Sequence, residues 1–299
     1  MDWNVSGKTI LITGATSGIG FEASVELARM GANVVLVGRN PEKTKRAAED
    51  VKRRSGAGEA GYLICDFSSQ AAVRNLAAAY QDRYERLDVL VNNVGTVFKE
   101  RTVTEDGAEA TFAVNHLGHF LLTNLLLDQL KECAPSRVVT VASIAHRSGT
   151  LDFENLEFER GGYGLMRAYS RSKLCNVLFA FELARRLAGS GVTSNCLHPG
   201  AVNTNIWSGV PAYAKPVISL LLKPFMLSAL EGARTIVQLA AGPALEGVTG
   251  KYFEKMRPTT PSKLAQNEAL ARRLWDVSAE KTGNRKSGSH LQLAVSDQQ

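Results

Sequence analysis

The stretch TILITGATSGIGFEASVELARM, Thr9 to Met30, decides the fold. Its opening residues are apolar or β-branched and suit a buried strand. Gly14, Gly18 and Gly20 then mark a turn over Thr13–Gly20, after which Ala23, Leu27 and Met30 recur at helical spacing. Strand, glycine turn and helix in that order make a cradle for a dinucleotide phosphate. The glycines remove Cβ atoms that would block close backbone approach, and the helix N-terminus offers free N–H groups to the anion. The spacing is G-x-x-x-G-x-G rather than G-x-G-x-x-G.

Outward from this unit, strand-like and helix-like runs alternate. Strands are expected at 8–13, 33–37, 60–65, 87–92, 136–142, 192–197 and about 250–253, with helices between. Such alternation implies right-handed βαβ crossovers and a parallel sheet covered on both faces. Ligands then bind beyond the carboxyl ends of the strands, where Gly14, Asn93 and Ser143 all fall. No Pro/Gly/Ser-rich linker or repeat divides the 299 residues, so 1–285 reads as a single domain and 286–299 as a flexible tail.

A second constellation lies in AYSRSKLCNVLFAFELARRL, which reads as one long helix. Tyr169 and Lys173 are four residues apart there, so phenol and ammonium project from one face. A phenol ordinarily ionises near pH 10; an adjacent cation is expected to pull it towards neutrality, as a general acid/base requires.

Composition removes several other classes. Hydrophobic residues at 44% and charged residues at 21% fit a soluble globular enzyme. Cys65, Cys133, Cys175 and Cys196 form no C-x-x-C pair and read as buried free thiols of a reducing compartment. No metal cluster is expected. Residues 110–127 lack Asp, Glu, Lys and Arg, but Asn115, His116, Gly118, His119, Thr123 and Asn124 make that stretch too polar for lipid, so a buried helix is expected with His116 and His119 in the core. The N-terminal MDWNVSGK has no apolar signal core, so the chain reads as cytoplasmic. Net charge is +6, yet Lys43, Lys45, Arg46, Lys52, Arg53 and Arg54 interleave with acids on one helix; a solvated face, not nucleic-acid binding, is expected.

Six ordered blocks resemble the short-chain dehydrogenase/reductase family: Thr13–Gly20, Asp66, Asn92-Asn93-Val94-Gly95, Asn115, Ser143 with Tyr169 and Lys173, and His198-Pro199-Gly200 followed by Thr204. Val94 departs from the alanine usual there. AVNHLGHFLLT, YSRSKL, LHPGAVNT and GKYF are similar to the retinol dehydrogenase-like branch, whose animal members usually carry an N-terminal membrane anchor. The resemblance implies an α/β fold, a single Rossmann-type doubly wound parallel sheet of about seven strands. It implies Tyr169 as general acid/base, Ser143 as hydrogen-bond donor to the substrate oxygen, Lys173 as partner of Tyr169 and of the nicotinamide ribose, and Asn115 as holder of a proton-relay water.

The cofactor expected is NADP(H). After the strand NVVLV come Gly38, Arg39 and Asn40 with no acid, and a guanidinium matches a 2′-phosphate that a carboxylate would repel. By resemblance Gly14, Ser17, Gly18, Ile19 and Gly20 hold the pyrophosphate. Asp66 and Phe67 meet the adenine, Asn93 and Gly95 the adenosine ribose, and Pro199, Val202 and Thr204 close over the nicotinamide. Asp66 as a helix start and Asn93 as a structural turn remain alternatives.

From Trp207 to Leu230 only Lys215 and Lys223 are charged, within a substrate lid placed at about 203–230. An apolar lid suits a lipophilic aldehyde, ketone or alcohol; packing on the core is the competing account, and membrane-surface contact stays open without being predicted. Phe153, Phe158 and Tyr163 are candidates for an aromatic wall. A non-catalytic NADP-binding regulator stays open as a second class, and so does a homo-oligomer.

Overall fold

The computed structural model describes residues 3–56, 60–202 and 227–283. The chain runs β1 (Thr9–Thr13), α1 (Gly18–Arg29), β2 (Asn33–Gly38), α2 (Pro41–Ser55), β3 (Ala60–Ile64), α3 (Gln70–Arg83) and β4 (Val89–Asn92). A composite helix follows, then α6 (Leu127–Glu132), β5 (Ser136–Val141), α7 (Leu165–Arg186) and β6 (Val192–His198). The end of the described chain holds α8 (Ala229–Ala241), β7 (Tyr252–Glu254), β8 (Arg257–Thr259) and α9 (Glu268–Lys281).

The sheet order is β3-β2-β1-β4-β5-β6-β7-β8, parallel from β3 to β7. Alternate residues of the central strands enter opposite layers. Ile10, Ile12, Val34 and Leu36 pack with Leu27 of α1 and Ile236 of α8, whereas Leu11, Val35, Val37 and Leu90 pack with Leu76 of α3 and Phe120. Burial on both faces is why these strands are apolar throughout instead of alternating. The order reverses between β1 and β4, which opens a crevice above their carboxyl ends.

Two features differ from the expected architecture. An eighth strand, β8, returns antiparallel to β7 after a turn in which Lys255 and Met256 take φ of 48° and 64°. All three β8 residues are exposed, so the strand carries no hydrophobic pattern to read. The helix expected over 110–127 is broken into α4 (Ala110–Phe112), a π-helical turn (Ala113–Leu117) and α5 (Gly118–Leu125). Glu109 caps its start by accepting from the Thr111 and Phe112 N–H groups, both at 2.8 Å. The widened turn carries Asn115, and π turns of this kind frequently mark functional sites.

His116 and His119 are buried as expected. His116 Nε2 lies 2.8 Å from Ser278 Oγ of α9, and Trp275 of α9 packs edge-on against Phe120 with centroids 4.9 Å apart. All four cysteines are buried and free. Among the described residues no helix is long and apolar enough to cross a membrane, and no cluster suits a metal ion. The expected tail, 286–299, lies outside the described residues.

Candidate active site

The Thr13–Gly20 turn is built for close approach. Gly14 and Gly18 take φ of 65° and 62°, in the left-handed region where a Cβ is penalised. A Cβ on Gly20 would lie 2.5 Å from Asn93 Nδ2 and 2.8 Å from the Gly14 carbonyl oxygen. Asn93 needs that space, because its amide donates to the Thr13 and Gly14 carbonyls at 2.8 and 3.2 Å. Thr13 Oγ1 in turn accepts from the Asn93 and Val94 N–H groups at 2.8 and 3.1 Å. The carboxamide expected to line a ribose therefore braces the glycine turn from β4. Ser17 caps α1 without a side-chain bond, and the first turn of α1 holds no acid, so its N–H groups suit an anion. The residues present fit a dinucleotide pyrophosphate.

At the far end of the crevice, Arg39 is exposed and its guanidinium stands 4.0 Å from Asp66 Oδ2. The other Asp66 oxygen accepts from Ser68 N–H and Oγ at 2.9 and 2.7 Å, a turn that leads into α3, whose cap is Ser69. One Asp66 oxygen thus serves the turn into α3, as the helix-start reading has it, and the other faces Arg39. Asn40 Oδ1 caps α2 by accepting from Lys43 N–H at 2.9 Å. The Phe67 ring is buried against Gly118 and His119, so only its main chain is left for a ligand. Gly95 sits half-buried just past β4.

Ser143, Tyr169 and Lys173 converge at the end of β5. Ser143 is buried, and its Oγ accepts from Ala145 N–H at 3.2 Å. Lys173 Nζ donates to the Val141 carbonyl at 3.0 Å and lies 5.7 Å from the centroid of the Tyr169 ring. Burial brings the Lys173 ammonium down to about 8. The expected lowering of Tyr169 is not what this arrangement produces: burial raises the phenol above its ordinary value, and the nearby Ser143 hydroxyl opposes that rise. The physical reason is that the ammonium is turned onto Val141 while desolvation acts on the partly buried phenol.

The Asn115 side chain is held by protein groups on both sides. Its Oδ1 accepts from Thr96 N–H at 2.8 Å, while Nδ2 donates to Thr96 O at 2.9 Å and Ser172 Oγ at 3.0 Å. Ser172 Oγ donates onward to the Tyr169 carbonyl at 2.8 Å. The carboxamide ties the loop after β4 to the helix bearing Tyr169. Sequence reasoning missed Ser172 and Thr96, because a serine inside a helix carries no mark that distinguishes this bridge from ordinary back-bonding.

Pro199 is half-buried after β6, and Val202 is buried, bridged to Leu227 and in contact range of Gly232 on α8. Thr204 and the lid residues 203–226 lie outside the described residues. Of the aromatic candidates, Phe158 is buried beneath the Arg171 guanidinium at 3.9 Å from its ring centroid. Arg171 also donates to the Thr150, Asn155 and Leu156 carbonyls, so this aromatic serves the β5–α7 loop rather than an open wall. Tyr163 bonds the Phe98 carbonyl at 2.9 Å, and Phe153 lies under Arg273.

Comparison with known proteins agrees with this geometry. The family model for short chain dehydrogenase matches residues 8–212. Human retinol dehydrogenase 13 is 41% identical over 283 residues, covering 93% of this chain and 86% of its own. Mouse retinol dehydrogenase 14 is 44% identical over 289 residues, with the same two shares. An uncharacterized protein from Mycobacterium paratuberculosis has a TM-score of 0.76 at 33% identity, covering 94% of this chain and 96% of that one. The Pseudomonas aeruginosa RhlG/NADP active-site complex has a TM-score of 0.67 at 26% identity, with 84% and 95% covered. A doubly wound sheet with a glycine cradle and a Ser-Tyr-Lys cluster at its carboxyl edge defines a nicotinamide-dependent oxidoreductase, and the chain belongs to the short-chain dehydrogenase family. Within that family it is retinol dehydrogenase-like.

Proposed function

We propose that the chain is an NADP(H)-dependent oxidoreductase that interconverts a lipophilic aldehyde or ketone and its alcohol, with Tyr169 as general acid/base. The observation that carries this reading is the convergence of Ser143, Tyr169 and Lys173 at the end of β5. When bound, the nicotinamide supplies or accepts hydride at the substrate carbon. Tyr169 gives its phenolic proton to the carbonyl oxygen in reduction and takes a proton from the alcohol in oxidation. Ser143 donates a hydrogen bond to that oxygen as charge develops; loss of such a donor costs about 2.7–4 kcal/mol of barrier. Lys173, brought to about 8 by burial, holds a proton loosely enough to resupply Tyr169.

The preference for NADP(H) rests on Arg39, the exposed guanidinium after β2, and on the lack of an acid at Gly38, Arg39 and Asn40. The cradle is assigned to Gly14, Ser17, Gly18, Ile19 and Gly20. The lipophilic substrate class rests on the apolar run Trp207–Leu230 and on relatives named for retinol. Buried free thiols fit a cytoplasmic setting.

The test is a screen of aliphatic and polyene aldehydes and ketones with NADPH and NADH, read as loss of the reduced cofactor's absorbance. Turnover favouring NADPH and long-chain substrates, abolished by Tyr169→Phe with NADPH affinity retained, is the expected result. Tight cofactor binding without turnover of any carbonyl or alcohol would overturn the catalytic reading.

A further inference from the structure

Three residues past Ser143, the 3₁₀ turn Ile144–Ser148 carries His146, which is fully buried. Its Nδ1 lies 2.7 Å from the Ser143 carbonyl oxygen, and its Nε2 lies 3.1 Å from the Ser262 main-chain nitrogen. A carbonyl only accepts and a main-chain N–H only donates. The ring must therefore carry its single proton on Nδ1 and accept at Nε2, a neutral imidazole with both nitrogens in use. The adjacent Arg147 donates to the Thr260 carbonyl at 2.9 Å, so the segment after β8 is tied to this turn at two neighbouring points.

The surroundings favour the neutral ring. His146 packs on Tyr252 of β7 with centroids 4.8 Å apart, and the Tyr252 hydroxyl donates to Glu254 at 2.9 Å. His198 of β6 stands beside Glu254 in the sheet register. Burial, foremost, and the Arg147 charge lower the His146 pKa, while the Ser143 carbonyl and Glu254 oppose them. Protonation at Nε2 would set a donor against the Ser262 N–H and break the tie.

We propose that His146 is the positioning residue of Ser143: a neutral imidazole of fixed tautomer that joins the serine's main chain to Ser262 and so sets where the Ser143 hydroxyl points. The proposal rests on the reading of Ser143 as donor to the substrate oxygen. The residue acts through Ser143 and not on the substrate.

Two measurements separate it from that reading. Nitrogen-15 NMR of histidine-labelled protein, with the His146 signal assigned through its loss in His146→Asn, reports the tautomer without any turnover. The Nδ1–H form at pH 7 is expected, and the Nε2–H form or a mixture of the two would overturn the tie. The second measurement is kinetic, on carbonyl reduction with saturating NADPH. His146→Leu removes both bonds and should lower kcat about 10- to 100-fold, as small misplacements of a reacting group do, with NADPH affinity unchanged. His146→Asn keeps a donor for the Ser143 carbonyl and should recover much of that loss. It should also abolish the fall of kcat expected of the wild type below the ordinary imidazole range. Wild-type kcat and pH profile in His146→Leu would sink the proposal; should that variant not fold, an unchanged acid limb in His146→Asn does so. A wild type that turns over no carbonyl counts against the proposed function, while the tautomer still judges the tie.

Discussion

Asn115 offers the sharpest discrimination between a scaffold and a participant in proton transfer. Asn115→Ala strips the Thr96 N–H and C=O of their partner and takes a donor from Ser172 Oγ. Each buried polar group left unpaired costs about 1–3 kcal/mol. Thr96 is only half-buried, so water takes part of that burden and we expect a total of about 2–3 kcal/mol. For a domain of this size that corresponds to a Tm lowered by roughly 4–12 °C. Asn115→Asp keeps an acceptor for Thr96 N–H but, when ionised, turns a second acceptor on Thr96 O. The protonated acid donates as the amide did, so folding raises the carboxyl pKa above its unfolded value. Stability from that match is present below about pH 4 and is lost as pH rises through the folded pKa. The Asp variant should thus approach wild type in acid and diverge above it. The assay is thermal melting across pH, paired with kcat for carbonyl reduction. Should Asn115→Ala melt with the wild type yet lose kcat, the carboxamide acts in the chemistry and the scaffold account is wrong.

Three further outcomes are expected. Arg39→Asp should reverse the preference from NADP(H) to NAD(H) in kcat/KM, by removing the phosphate's partner and adding an acceptor for ribose hydroxyls; unchanged preference would show that Arg39 does not face the 2′-phosphate. In Gly20→Ala the new methyl would displace Asn93 from the Thr13 and Gly14 carbonyls, two hydrogen bonds worth about 2 kcal/mol together, so the NADPH Kd should rise roughly 30-fold with kcat at saturation little changed. Isothermal titration of both proteins checks it. His116 and His119 are brought to about 3, chiefly by burial, so their neutral forms support folding fully above about pH 6.5, and stability falls as pH drops from there towards 3. Each contributes a slope of up to about 1.4 kcal/mol per pH unit, and His119→Leu should flatten the acid loss of the urea midpoint.

Much of the fold was legible because its signals are local. The apolar runs of β1, β2, β4, β5 and β6, the glycines of the cradle and the one-turn spacing of Tyr169 and Lys173 all lie within a few residues of one another. Seven strands were readable in this way. β8 was not, since three exposed residues closing a hairpin bury nothing and so leave no periodicity. The break in the 110–127 helix was equally hidden, because a π turn alters hydrogen bonding without altering apolar content.

Within the site, residue type identified the candidates, and long-range contacts decided what their side chains do. The sequence alone selected Ser143, Asn115, Asp66, Asn93 and Arg39. The tertiary structure turned Asn115 onto Thr96 and Ser172, Asn93 onto the glycine turn, Lys173 onto Val141 and half of Asp66 onto Ser68. It also brought His146 to Ser262 across 116 residues, a contact no local pattern announces. The division has one cause. Periodicity and backbone conformation are set by neighbours along the chain, whereas a side chain's hydrogen-bond partner, its burial and its proton affinity depend on groups that only folding brings near.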